Sequence, residues 1–263
     1  MTTLPTSQAL FSMFDIHTSL ALPEPLIHQN AFKKSLHFST YDVQSSMRHD
    51  EPDTLDLEYT RTMMAFLLFK PNPPRIGMIG LGGGSLAKFC LRYVTGAQME
   101  VAEINAQVIA LRAEFQIPPD SERFSVVHAD GAKLMGRRPD AYDVLMVDGY
   151  NAHGLDPRLC TQAFYDDCHA ALRDDGILVV NLPFSAARYE AYLSKLRRTF
   201  LGSIVAVDDG EMGNCIVFAC RGDTLSTYPV GVVRPPKSID PVALSQLRAG
   251  FALTMSALRD QRC

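Results

Sequence analysis

No apolar run in this chain approaches the ~20 residues a membrane-spanning helix requires, so an integral membrane protein is not expected. Basic charge is missing from the amino-terminal stretch, where the first Lys or Arg is Lys33. A secretory leader with its cationic start is therefore not expected either, and a cytoplasmic location is. The chain also lacks any excess of positive charge: 25 Lys and Arg stand against 29 Asp and Glu, a net charge of −4. That removes the electrostatic reason to expect a nucleic acid or an anionic membrane as partner. The six cysteines (Cys90, Cys160, Cys168, Cys215, Cys220, Cys263) show no Cys-x-x-Cys pair and no partnered histidine spacing. Zinc is not expected, no metal site is assigned, and the thiols read as inert side chains in a reducing compartment.

What is present is an alternation of short apolar runs with amphipathic ones. Strands are expected at Ile76–Ile79, Gln98–Ala102, Phe124–His128, Tyr142–Val147 and Ile177–Leu182, with an antiparallel pair at Ser203–Val207 and Cys215–Cys220. Between them, helices are expected at Ser85–Tyr93, Ile104–Phe115, Thr161–Arg173 and Ala187–Phe200. This is the pattern of a mostly parallel sheet covered on both faces, an α/β fold. Ser35–Met47 reads as one or two strands, Asp56–Phe69 as a helix, and Lys70–Pro74 breaks the chain. A final helix is expected to open on Asp240-Pro241. Three regions follow: 1–70 as a β-rich extension and lid, 75–225 as the α/β domain, and 226–263 as a helical tail.

The richest signal lies where the first expected parallel strand meets its helix, at Ile79-Gly80-Leu81-Gly82-Gly83-Gly84-Ser85. Alternate glycines Gly80, Gly82 and Gly84 allow a tight turn and a ligand lying against the main chain. Nineteen residues beyond Gly84, Glu103 closes the next strand, where a carboxylate reaches both hydroxyls of a ribose. Asp130-Gly131 and Asp148 end the two strands that follow, the former suited to an adenine amine. Any one of these acids alone reads as a helix cap or a turn; their recurrence along one sheet edge points to an adenosine. A dinucleotide fits less well, because Ser85 replaces the third glycine of Gly-x-Gly-x-x-Gly. An adenosine carried on a sulfonium needs no diphosphate cradle and suits carboxylates.

At these residues the sequence resembles the polyamine aminopropyltransferase family, of which spermidine synthase is the type. Gly82-Gly83-Gly84-Ser85-Leu86-Ala87 lies on the family's Gly-Gly-Gly-Asp-Gly-Gly motif, Glu103 on its ribose-binding acid, and Asp130-Gly131 on its adenine-side pair. Asp148 falls on the first aspartate of its Asp-x-x-Asp-Pro loop, Gln44 on a glutamine that contacts the nucleoside, and Tyr59 on the tyrosine of Tyr-His-Glu. The resemblance implies a Rossmann-like class I S-adenosylmethionine-dependent transferase fold with a seven-stranded sheet. It also implies a homodimer or homotetramer, no tightly bound cofactor, and decarboxylated S-adenosylmethionine as co-substrate. An amine acceptor such as putrescine would attack beside the sulfonium and methylthioadenosine would leave, with Asp148 and Tyr59 as the catalytic pair. Gln44, Gly80, Gly82, Gly84, Ser85, Glu103, Asp130 and Gly131 would hold the donor, and Arg61, Tyr150 and Asn151 the acceptor.

Three positions depart from the pattern: Ser85 replaces an acid, Thr60-Arg61 replaces His-Glu, and Asn151 stands in the place of the second loop acid. Each removes negative charge, or adds positive charge, where a dication would sit, and an Arg61 facing the acceptor would repel it. Asp156-Pro157 would restore the loop acid if the loop carries an insertion, and His153 lies in the same loop. Two other readings stay open: a methyltransferase using intact S-adenosylmethionine, and a non-catalytic nucleoside-binding homologue. Product identity, methylthioadenosine or S-adenosylhomocysteine or neither, separates the three.

Overall fold

A computed structural model describes residues 22–39, 43–151, 154–183, 186–208, 213–231 and 234–262. Residues 40–42 of the expected amino-terminal strands, together with His153 and Cys263, lie outside this set. The described chain opens with a three-stranded antiparallel sheet, β1 (Leu26–Gln29), β2 (Lys33–His37) and β3 (Val43–Arg48), of which β1 was not expected. The expected 56–69 helix is shorter: α1 (Glu58–Met63) tightens into a 3-10 segment, Met64–Leu68. That segment is buried all round, so no solvent face holds it to the α-helical period.

After the prolines the alternation runs as β4 (Arg75–Ile79), α2 (Ser85–Tyr93), β5 (Gln98–Glu103), α3 (Ala106–Ala110), β6 (Phe124–His128), α4 (Gly131–Met135) and β7 (Tyr142–Val147). A short hairpin, β8 (Tyr150–Asn151) and β9 (Gly154–Leu155), leads to a 3-10 turn at Pro157–Cys160. The chain continues through α5 (Gln162–Ala171), β10 (Leu172–Pro183), α6 (Ala186–Thr199), β11 (Ile204–Asp208), β12 (Asn214–Arg221), α7 (Thr224–Thr227) and α8 (Pro241–Asp260). The expected helix from Ile104 to Phe115 keeps only its first turns as α3, capped by the Asn105 side chain, and then passes through turns to Gln116 at φ +53°.

The main sheet has seven strands in the order β11-β12-β10-β7-β4-β5-β6, and the Rossmann-like transferase architecture is borne out. β10, β7, β4, β5 and β6 run parallel; β12 pairs antiparallel with both β10 and β11. On β7 and β10, Val144, Met146, Ile177 and Val179 face one core, and Leu145, Val147, Leu178 and Val180 face the other. The first core also takes in Leu36 and Met47 from the small sheet and Leu247, Phe251 and Leu258 from α8. One continuous core thus crosses the proline break and reaches the carboxyl-terminal helix. Strand order reverses between β4 and β7, which opens a crevice at their carboxyl ends.

Beneath the glycine loop, the buried Lys88 of α2 donates from Nζ to the Phe115 carbonyl at 2.8 Å. Burial pushes its amine down to about 8, with Asp53 opposing. The unfolded chain therefore holds this proton to higher pH than the folded one does. Stability from this site is absent below about pH 8 and accrues as pH rises toward the ordinary lysine value of 10.5. Denaturant unfolding of wild type and Lys88→Met across this interval should show wild type gaining about 3 kcal/mol relative to the variant, the worth of the shift from 10.5 to about 8. A difference that stays flat with pH would contradict a depressed amine.

Candidate active site

Four strand ends converge on the crevice. Gly80 follows β4 with φ +92°, and its N–H donates to the Ala102 carbonyl at 2.8 Å. The Asp148 N–H donates to the Ile79 carbonyl at 2.9 Å, which brings the end of β7 against the glycine turn. A Cβ built on Gly80 would stand 2.2 Å from the Asp148 carbonyl oxygen, so only glycine allows this approach. The loop behind is equally close-packed: a Cβ on Gly84 (φ +71°) would meet Ile117 at 2.5 Å.

Glu103 is 7% exposed, and both its oxygens are engaged: Oε2 accepts from the Leu81 N–H at 2.8 Å and Oε1 from the Asn105 N–H at 2.8 Å. It thus ties the glycine loop to the end of β5 while still lining the cavity. Burial raises its carboxyl above the ordinary glutamate value, and these backbone donors pull the other way.

Asp130 plays the part its isolated reading allows and a second one. Its Oδ1 caps α4 by accepting from the Ala132 N–H at 3.0 Å, and its Oδ2 is paired at 2.8 Å with Arg158. Gly131 lies so near Ile79 that a Cβ would clash at 2.5 Å. Arg158 also grips Asp156 through Nε and Nη2, at 3.0 and 2.6 Å. Asp156 caps the 157–160 turn and its N–H reaches the Gly149 carbonyl at 3.2 Å, fastening this turn to the Asp148 loop. Burial would raise the Asp156 carboxyl, yet the Arg158 hydrogen bonds hold it below its usual value.

Asp148 lies at the centre. The Tyr59 hydroxyl donates to its Oδ2 at 3.1 Å and the Asn181 amide to its Oδ1 at 2.9 Å. Desolvation raises this carboxyl above the aspartate norm of 3.8, and the two neutral donors offset part of that. Asn181, 3% exposed on β10, is a site residue that sequence reasoning missed; an amide in the apolar run Val179-Val180-Asn181-Leu182 was the available signal. Its Oδ1 is buried without a hydrogen-bond partner.

These groups line one cavity of about 380 Å³, together with Gln44, Thr60, Gly82, Ser85, Tyr150, Asn151 and Leu22. Ser85 faces the Ser45 hydroxyl at 3.3 Å, and the Tyr150 hydroxyl donates to the Asn181 carbonyl at 3.4 Å. Among the predicted residues Gly84 and Arg61 are not part of the lining. Gly84 is the cap residue that starts α2. Arg61 corrects an expectation: its Nε donates to the Leu55 carbonyl at 2.8 Å, away from the acceptor. Residues two apart on a helix project to nearly opposite faces, so Tyr59 turned to the cavity carries Arg61 off it. The anticipated repulsion of a cationic acceptor by Arg61 therefore falls away. The described lining holds four carboxylates, Glu103, Asp130, Asp148 and Asp156, against the one guanidinium of Arg158.

A crevice at the switch point, rimmed by a glycine turn and acids at successive strand ends, defines an α/β protein that takes its ligand beyond the carboxyl ends of its strands. Comparison with known proteins narrows this. Residues 57–196 match the model of the spermine/spermidine synthase domain. A polyamine aminopropyltransferase of Chromobacterium violaceum is 38% identical over 202 residues, 76% of this chain and 77% of that protein. The fold matches a probable spermidine synthase of Corynebacterium glutamicum, with a TM-score of 0.64 at 19% identity over 74% of this chain and 76% of that one. It also matches human methyltransferase-like protein 13, solved with SAH, with a TM-score of 0.56 at 21% identity over 76% and 93%. Those two likenesses establish the fold alone. The sequence matches establish more: the chain belongs to the spermine/spermidine synthase family and is an aminopropyl-transferring enzyme.

The glycine geometry has a measurable consequence. Gly80→Ala combines a forbidden contact with positive φ and should cost about 3 kcal/mol or more in denaturant unfolding. Gly154→Ala, at φ +101° with nothing within 4 Å, carries only the backbone strain and should cost about 1 kcal/mol. Equal costs at the two positions would contradict the Gly80–Asp148 contact.

Proposed function

We propose that this cavity transfers an aminopropyl group from decarboxylated S-adenosylmethionine to an amine such as putrescine, releasing methylthioadenosine. Glu103 takes the ribose hydroxyls, since a carboxylate has lone pairs beyond the two used by Leu81 and Asn105. Asp130 and Gly131 receive the adenine edge, while Gln44, Gly80, Gly82 and Ser85 line the rest of the donor's path. The acceptor enters beside Tyr150 and Asn151. The observation that carries this reading is Asp148, fixed by Tyr59 and Asn181 and opening on the same cavity as Glu103.

The chemistry follows from charge. An ammonium has no lone pair, so the acceptor must shed a proton before it attacks. Asp148 accepts that proton, and its raised affinity, caused by burial, makes it a better base than an exposed aspartate. The nitrogen lone pair then forms a bond to the methylene carbon beside the sulfonium. The C–S bond breaks with its electrons going to sulfur, and the donor leaves as a neutral thioether. The Tyr59 hydroxyl and Asn181 amide keep the carboxylate aimed during the exchange. The surplus of carboxylates in the lining favours cationic ligands over an intact donor bearing its own carboxylate.

The five described cysteines, all buried and free, suit a reducing compartment, and we assign the enzyme to the cytoplasm. The family resemblance extends to a homodimer or homotetramer, which the mass of the purified protein in solution decides.

Incubation with decarboxylated donor and putrescine should yield methylthioadenosine. S-adenosylhomocysteine from the intact donor would overturn the assignment in favour of methyl transfer. Asp148→Asn should lower kcat by about 10³ while leaving methylthioadenosine affinity within a few-fold, in line with the loss of a general base. The acid limb of wild-type kcat against pH should fall above 3.8, because activity disappears as Asp148 takes up its proton. Glu103→Gln should act mainly on nucleoside capture, weakening it about 10-fold or more, roughly the worth of a hydrogen bond to a charged group; unchanged affinity would refute its ribose role.

A further inference from the structure

Tyr59 reaches Asp148 from α1, and α1 is held from behind by a helix that the family-domain match, ending at residue 196, does not include. α8 crosses α1 at Gly250: a Cβ there would stand 2.8 Å from the Arg61 carbonyl oxygen and 3.0 Å from the Thr62 Cα. Both are main-chain atoms, which cannot swing aside as the end of a side chain would. α1 also packs against β10 and β12, so it is held by the sheet as well as by α8. The turn leading into α1 is clamped from the same direction. The Leu55 N–H donates to Gln246 Oε1 of α8 at 3.0 Å, and its carbonyl accepts from Arg61 Nε at 2.8 Å. Leu247 and Phe251, fully buried, fix the face of α8 that makes these contacts. Thr254 returns its hydroxyl to the Gly250 carbonyl at 2.8 Å.

We propose that Gly250 and Gln246 are positioning residues for catalysis: the carboxyl-terminal helix, through its bare contact at Gly250 and its hold on Leu55, sets how far the Tyr59 hydroxyl reaches toward Asp148. This rests on the catalytic reading of Tyr59 and Asp148. It also gives Arg61 a part in place of the one expected of it, as the brace between α1 and its own lead-in turn.

The test is Gly250→Ala in the full chain, alone and combined with Tyr59→Phe. Gly250→Ala should lower kcat five- to twenty-fold with decarboxylated donor and putrescine, while the Kd for methylthioadenosine stays within two-fold. Its acid limb should move to higher pH, because Asp148 loses a donor that favours its charged form. In the Tyr59→Phe background the same substitution should change kcat less than two-fold. Gly250→Ala at the wild-type rate, or an equal fall in both backgrounds, would overturn the proposal while leaving the role of Tyr59 standing. Tyr59→Phe at the wild-type rate would overturn the catalytic reading itself, and this inference with it. Should Gly250→Ala fail to fold, Gln246→Ala takes its place. It should lower kcat two- to five-fold in wild type and not at all with Tyr59→Phe, and any other pattern counts against the proposal.

Discussion

The contact between Gly80 and the main chain of Asp148 is the constraint on which the rest of the site depends. Parallel pairing of β4 with β7 lays two strand ends side by side. With no Cβ at position 80, the end of β7 settles against the glycine turn, and Asp148 is brought to the edge of the crevice. Glu103 performs the matching task on the other flank by tying Leu81 and Asn105 to the end of β5. Glu103 and Asp148 thus line one crevice because the backbone of a parallel sheet is drawn tight at two points.

The charge distribution then divides that crevice. At one end Asp130 and Asp156 share Arg158, so their charges are largely met within the protein. At the other, Asp148 is held by neutral donors only, and its charge has no protein cation among its described partners. A carboxylate in that state both raises its own proton affinity and attracts a cation, two properties that deprotonation of an incoming ammonium requires. Asn151 and Ser85 line the same cavity without adding charge to it.

Much of this was legible before any coordinates. The bounds of Tyr142–Val147 and Ser85–Tyr93 are legible to the residue, because a buried parallel strand is a near-continuous apolar run and the glycines mark a helix start; those of the half-exposed edge strand Phe124–His128 are legible too. The order of acids along one edge followed from the same alternation. What was not legible depended on direction or on pairing across the fold. Arg61 was read as facing the acceptor because spacing to a motif ignores helical phase, though Tyr59 two residues earlier held the correction. Asn181 was passed over inside an apolar strand, where one amide looks like a lapse until Asp148 is found opposite. The Arg158 bridge joins residues 28 apart through a loop whose path no local pattern encodes. The helix expected to run on to Phe115 stops early: its apolar residues pack from turns as well as from a helix, and periodicity cannot tell the two apart.

The decisive measurement is a structure of the protein with methylthioadenosine bound. Both ribose hydroxyls should lie within hydrogen-bonding distance of Glu103, about 2.6–3.2 Å, with the thioether sulfur turned toward Asp148 and its Tyr59 and Asn181 partners. A ribose seated away from Glu103, or a sulfur pointing into a crevice that Asp148 does not line, would contradict this placement.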